Sequence, residues 1–120
     1  MSPKPVDIHV DPETKPRVPM IVAFPGEEVI FASHNGDSTF FFPEGNQIFE
    51  ESESVVFLVE SGNSVSRQIK TGVIDDSDNK ETVARRGALF VEYAVHCTQG
   101  DETYFAEGNS APKIIIPRFP

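Results

Sequence analysis

Between Leu89 and Cys97 the chain alternates without a break, with Leu89, Val91, Tyr93, Val95 and Cys97 on one side and Phe90, Glu92, Ala94 and His96 on the other. No other stretch restricts the fold as tightly. Successive side chains leave an extended backbone on opposite faces, so a two-residue period of this length predicts a β-strand with one face against a core. A turn-rich segment, Thr98 to Asn109, comes next, and Lys113-Ile114-Ile115-Ile116 then predicts a short apolar strand stopped by Pro117. The single cysteine of the chain thus ends the penultimate strand, on its inward side.

The earlier chain carries the same signature in shorter pieces. Val6 to Val10 alternates and has prolines on both sides, which predicts an edge strand with Asp7 and His9 on one face. Met20 to Phe24 is nearly all apolar, so both of its faces are expected to be covered. Pro25-Gly26 marks a turn into a third strand, Glu27 to Ser33, where Val29, Phe31 and Ser33 oppose Ile30, Ala32 and His34. Asn35-Gly36-Asp37 is the next turn, and of Phe40, Phe41 and Phe42 two are expected to point inward. Val55 to Val59 predicts a buried strand. After the turn Ser61-Gly62-Asn63, Val65, Arg67 and Ile69 alternate with Ser66, Gln68 and Lys70 as a half-exposed strand. Asp75 to Glu81 is the most polar stretch and predicts a surface loop, with Thr82-Val83-Ala84 a short strand or one helical turn. Ten prolines scattered among short apolar runs leave little room for a long helix. About seven or eight strands at intervals of roughly ten residues predict an antiparallel sandwich in a single domain, residues 1–120, with no internal repeat.

A chain of 120 residues can bury a single core without staples, and ten phenylalanines supply much of it. Nineteen Asp and Glu against ten Lys and Arg give a net charge of −9, a surface field that repels phosphate backbones and argues against nucleic-acid binding. A lone cysteine forms no internal disulfide; it suits a reducing compartment, a metal ligand or a buried thiol. No apolar run approaches the roughly 18 residues of a membrane span, and Met1 to Pro5 lack the apolar centre of a signal peptide.

Tyr93-x-x-x-Cys97, a loop and a last strand follow, in order, Pro25-Gly26-Glu27-Glu28-Val29-Ile30-Phe31 with Asn35 and Ser61-Gly62-Asn63-Ser64-Val65. This series resembles the cupredoxin family, the small blue-copper proteins of plastocyanin and azurin type. The resemblance implies one all-β Greek-key β-sandwich of seven to eight mostly antiparallel strands. It also implies a soluble protein, periplasmic or extracellular if an export signal has been removed and cytoplasmic otherwise. A blue-copper centre needs a thiolate, two imidazoles and usually a thioether, a soft set suited to both copper oxidation states. Family members carry a histidine after the asparagine loop, the cysteine, then a histidine and a methionine in the last loop. Here those positions fall near Thr39 or Phe40, at Cys97 and near Gly100, and no His or Met follows Cys97. The copper site is therefore read as degenerate and no cofactor is expected. The alternative is a metal-binding or electron-transfer protein that joins Cys97 to His34 or His96, for which the strand would need a bulge, since neighbours point to opposite faces.

Asp75, Asp76, Asp78 and Glu81 offer oxygen ligands of the kind Ca²⁺ takes, without the spacing of an EF-hand, and a solvated loop is the plainer reading. Arg85-Arg86 would then neutralise Asp75 to Asp78. No catalytic set stands out: there is no G-x-S-x-G, Glu50 and Glu51 are adjacent rather than convergent, and no glycine loop could cradle a phosphate. The chain is not expected to be an enzyme; a reactive Cys97 would be the exception. Phe40, Phe41, Phe42, Tyr104 and Phe105 form an aromatic set at the loop end of the sandwich, so the expected role is an interaction module. It would meet a protein or small ligand there, between Phe40 and Pro43 and between Thr98 and Asn109. Partner identity and oligomeric state are left open by the sequence.

Overall fold

The computed structural model describes residues 3–11, 13, 18, 20–75, 77–105 and 112–118, the side chains of residues 77 and 78 excepted. Ten strands and two helices follow in the order β1 (Lys4–His9), β2 (Ile21–Val22), β3 (Glu28–His34), β4 (Asp37–Phe41), α1 (Gly45–Ile48), β5 (Val56–Val59), β6 (Ser64–Gln68), α2 (Ser77–Arg86), β7 (Ala88–Glu92), β8 (Ala94–Gln99), β9 (Glu102–Phe105) and β10 (Lys113–Pro117). The fold is mostly β, as its alternation predicts. Hydrogen bonds join β1-β3-β6, β2-β10-β7 and β5-β4-β8-β9. Only Tyr93 separates β7 from β8, and its N–H donates to the Pro112 carbonyl at 3.1 Å. The run Leu89 to Cys97 therefore serves two sheets, pairing with β10 along its first half and with β4 along its second. Its inward face holds as expected: Leu89, Val91, Tyr93, Val95 and Cys97 are all buried.

Five of the seven strand pairings are antiparallel; β1 runs parallel to β3, and β2 parallel to β10. Aromatic rings fill the space between the sheets. Phe31 on β3 meets Phe40, Phe42, Phe49 and Phe57 edge-on, with centroids 4.9, 5.6, 6.2 and 5.2 Å away, the geometry that aromatic quadrupoles favour. The Pro25-Gly26 turn feeds β3: Glu27 N–H donates to the Phe24 carbonyl at 3.0 Å and Gly26 takes φ +87°. Proline second and a left-handed glycine third is the type II pattern, which a side chain at Gly26 would strain.

Several expectations change on packing. Val55 to Val59 is not buried throughout: Phe57 and Val59 face the core, while Val56 and Leu58 are 55 % and 52 % exposed. Met20 and Val22 are likewise exposed, so one face of the second run is uncovered. Asp75 to Glu81 is not one loop. Asp75 ends a turn, Asp76 lies outside the described residues, and Ser77–Arg86 is a helix that continues through Thr82 to Ala84. That helix buries Val83, ends with Arg85 and Arg86 beside its negative end, and closes as Gly87, at φ +81°, donates its N–H to the Val83 carbonyl at 2.8 Å. Among the described residues no helix is long and apolar enough to cross a membrane.

Candidate functional site

Cys97 is fully buried where β5-β4-β8-β9 faces β1-β3-β6. Its Sγ lies 3.4 Å from Ser38 Oγ on β4, which lies 2.7 Å from Ser33 Oγ on β3. Ser33 Oγ in turn donates to the Gly36 carbonyl at 2.6 Å. A carbonyl only accepts, so the direction of the whole chain follows. Ser33 spends its one proton on Gly36 and must accept from Ser38; Ser38 spends its own on Ser33 and must accept from the Cys97 thiol. Cys97 is thereby held as a proton donor. Burial pushes its thiol up, and a Ser38 hydroxyl whose proton is spent on Ser33 has none to give a thiolate. Gly36 has to be glycine, since a Cβ there would stand 3.0 Å from the Val10 side chain and 2.5 Å from the Thr98 carbonyl oxygen.

The histidines do not join this group. His96 occupies the opposite face of β8, in a register with β4 that runs unbulged from Asp37–Thr98 to Phe41–Ala94. His34 points away from the core on β3 and stacks on His9 with centroids 4.5 Å apart, its Nε2 3.8 Å from Asp7 Oδ1. The parallel pairing of β1 with β3 makes His9 the register partner of His34. Among the described residues no three His, Cys, Asp or Glu side chains converge as a metal site. Asp78 and Glu81 sit on α2 rather than in a loop with Asp75.

The aromatic set divides as well. Phe40 and Phe42 are wholly buried, so neither can meet a partner, and Tyr104 packs partly buried against the core. Phe41 and Phe105 are 44 % and 68 % exposed, but they lie on the outer face of β5-β4-β8-β9 rather than at its loop end. Cross-strand register sets Val56, Phe41 and Ala94 in one row and Leu58, Thr39, His96 and Phe105 in the next. The His96 ring meets Phe105 edge-on at 6.2 Å. A shallow hollow of about 250 Å³ opens between the rows, lined by Thr39, Phe41, Val56, Ala94, His96 and Phe105. Sequence reasoning missed Val56 and Leu58 because a run of apolar residues looks the same whether one face or both are covered.

A larger hollow of about 380 Å³ lies between Pro43, Glu44, Arg86, Phe90, Glu92 and Lys113. Its two cations and two carboxylates balance, and the Arg86 guanidinium lies over the Phe90 ring at 4.4 Å; of its expected acidic partners, Asp76 and the Asp78 side chain lie outside the described residues. The apolar sheet face is the more selective surface. Four large apolar side chains exposed together on one sheet are uncommon unless something covers them. Compared with protein-family models, curated proteins and solved structures, the chain matches none.

Proposed function

We propose that this chain is a cupredoxin-like Greek-key β-sandwich without a copper centre, and that it works as an interaction module through the outer face of β5-β4-β8-β9. The observation that carries the reading is the exposed group Phe41, Val56, Leu58 and Phe105 on adjoining strands. Two features support the fold assignment: the inner faces pack around one aromatic core, and the chain crosses between sheets after β3 and again after β5. The reading has no enzymatic role, because Cys97 is buried, protonated and committed to Ser38.

Two measurements test it. Copper added to metal-free protein should produce no thiolate-to-copper absorption band and no retained metal; a band at one equivalent overturns the copper-free part. For the face, wild-type protein, a Leu58→Lys/Phe105→Lys double variant and a Val22→Lys control serve as baits. The control alters an apolar side chain that is also exposed, on another sheet. A partner held by wild type and control but lost by the double variant supports the proposal, and identical retention by all three sinks it.

A further inference from the structure

We infer that the open edge of β5 accepts an extended segment of a basic protein partner, which joins β5-β4-β8-β9 as a fifth strand. The inference rests on the interaction-module reading and names the partner class of that same face. The hydrogen-bond parity of β5 carries it. Phe42 N–H donates to the Val55 carbonyl at 2.7 Å, so Val55, Phe57 and Val59 turn their backbone groups toward β4. The N–H and C=O groups of Val56 and Leu58 then point out of the sheet, where no other described strand pairs with them. Unpaired groups of this kind are a template for an added strand.

The other edges differ. β1 carries Lys4, Pro5 and Asp7, β2 is two residues long, β6 is largely polar, α2 packs against β7, and β9, the far edge of the same sheet, carries the charge of Glu102. The segment Val56-Phe57-Leu58-Val59 has neither a proline nor a charge. Its flanks select the partner. Glu53 and Glu60, both exposed, stand at its two ends in a chain of net charge −9, while Arg67 lies over the Phe57 ring on the core side of the strand. A segment with apolar residues along one face and Lys or Arg at both ends would lay its apolar side chains beside Val56 and Leu58 and its cations near the glutamates. A second copy of this chain brings the same negative charge to the same edge, which disfavours self-pairing.

The test uses a ten-residue synthetic peptide that alternates valine and threonine between two lysines at each end, a counterpart with glutamates in place of the lysines, and a fully N-methylated lysine peptide that cannot donate along a ladder. Amide exchange and ¹⁵N spectra of the whole chain are the readouts. The lysine peptide should slow exchange at Val56 and Leu58, with affinity falling as salt rises, and the other two peptides should not. Val56→Pro removes one outward N–H, and Leu58→Lys places a cation in the apolar row; each should weaken binding about tenfold. Core resonances report whether each variant folds, and if Val56→Pro does not, the N-methylated peptide carries the same information. If Phe41 and Phe105 signals shift while the β5 amides stay unprotected, the edge inference fails and the face reading survives. No shift at either place ends both. Protection that appears without peptide and grows with protein concentration means self-pairing and overturns the inference.

Discussion

The two faces of β5-β4-β8-β9 reverse the usual partition of polar and apolar atoms at one place. Inward, Ser38 and Cys97 sit in the core; outward, Phe41, Val56, Leu58 and Phe105 meet solvent. The inward polar groups are saturated: each hydroxyl or thiol proton has an acceptor and the chain ends on the Gly36 carbonyl. Among the described residues nothing covers the outward apolar groups, and Phe41, Val56 and Phe105 line an open hollow. A closed network holds structure together, whereas an uncovered apolar surface gains free energy when something binds it. The oddity inside is therefore architectural, and the oddity outside is the one the proposed function uses.

The sharpest way to break this contrast uses adjacent residues. Phe40→Ala should destabilise by about 3–5 kcal/mol, because it empties a ring site between Phe31 and Phe57. Phe41→Ala, one residue on, should stay within about 0.5 kcal/mol of wild type in the same urea titration. Equal losses would mean that the outer face is structural. Next in size, Ser38→Ala should cost about 1–3 kcal/mol, since it strands both Cys97 and Ser33 in the core. A Ser33→Ala/Ser38→Ala pair should lose less than the sum of the two single changes, and strict additivity would argue against a connected chain.

Smaller and pH-dependent effects come from Tyr93, whose buried hydroxyl has no hydrogen-bond partner among the described residues. Tyr93→Phe should be neutral or stabilising by up to about 1 kcal/mol at neutral pH. Burial lifts the Tyr93 phenol above its ordinary 10.0 and the Cys97 thiol above its ordinary 9.0. The unfolded chain therefore gives up these protons first. Stability is full below pH 9.0 and falls as pH rises past 9.0 and then 10.0 toward the folded values. Tyr93→Phe should flatten the upper part of that decline and Cys97→Ala the lower part, as read from urea midpoints across alkaline pH. Iodoacetamide at neutral pH should label Cys97 only on unfolding; labelling at the rate of a free thiol would contradict its burial.

What could be read from the sequence follows from how local the signal is. The Leu89 to Cys97 alternation gave the inward set correctly, and Val29, Phe31 and Ser33 behave the same way, because a two-residue period is a property of one strand. Which strands meet is a property of two. The stacking of His9 on His34 was invisible until parallel pairing set their register. Val56 and Leu58 were misread for the related reason that burial depends on whether a second layer lies over the strand. Helix α2 was hidden by its Ser-Asp-Asn start, residues that favour turns, although Arg85-Arg86-Gly87 offered a C-terminal signal that went unused.

The position of β10 bears on how the chain reaches this state. Residues 113–117 lie between β2 and β7, parallel to one and antiparallel to the other, so the strand made last among those described is an interior one. During synthesis, Leu89 and Val91 wait with their ladder to β10 unmade until Ile114 to Ile116 have left the ribosome. Pairings as distant as Ile21 with Ile114 make closure slow, because the loop entropy is lost before the contacts form. Until β10 is made, β2 and β7 lack the apolar strand that joins them, and an unclosed sheet of this kind is open to aggregation.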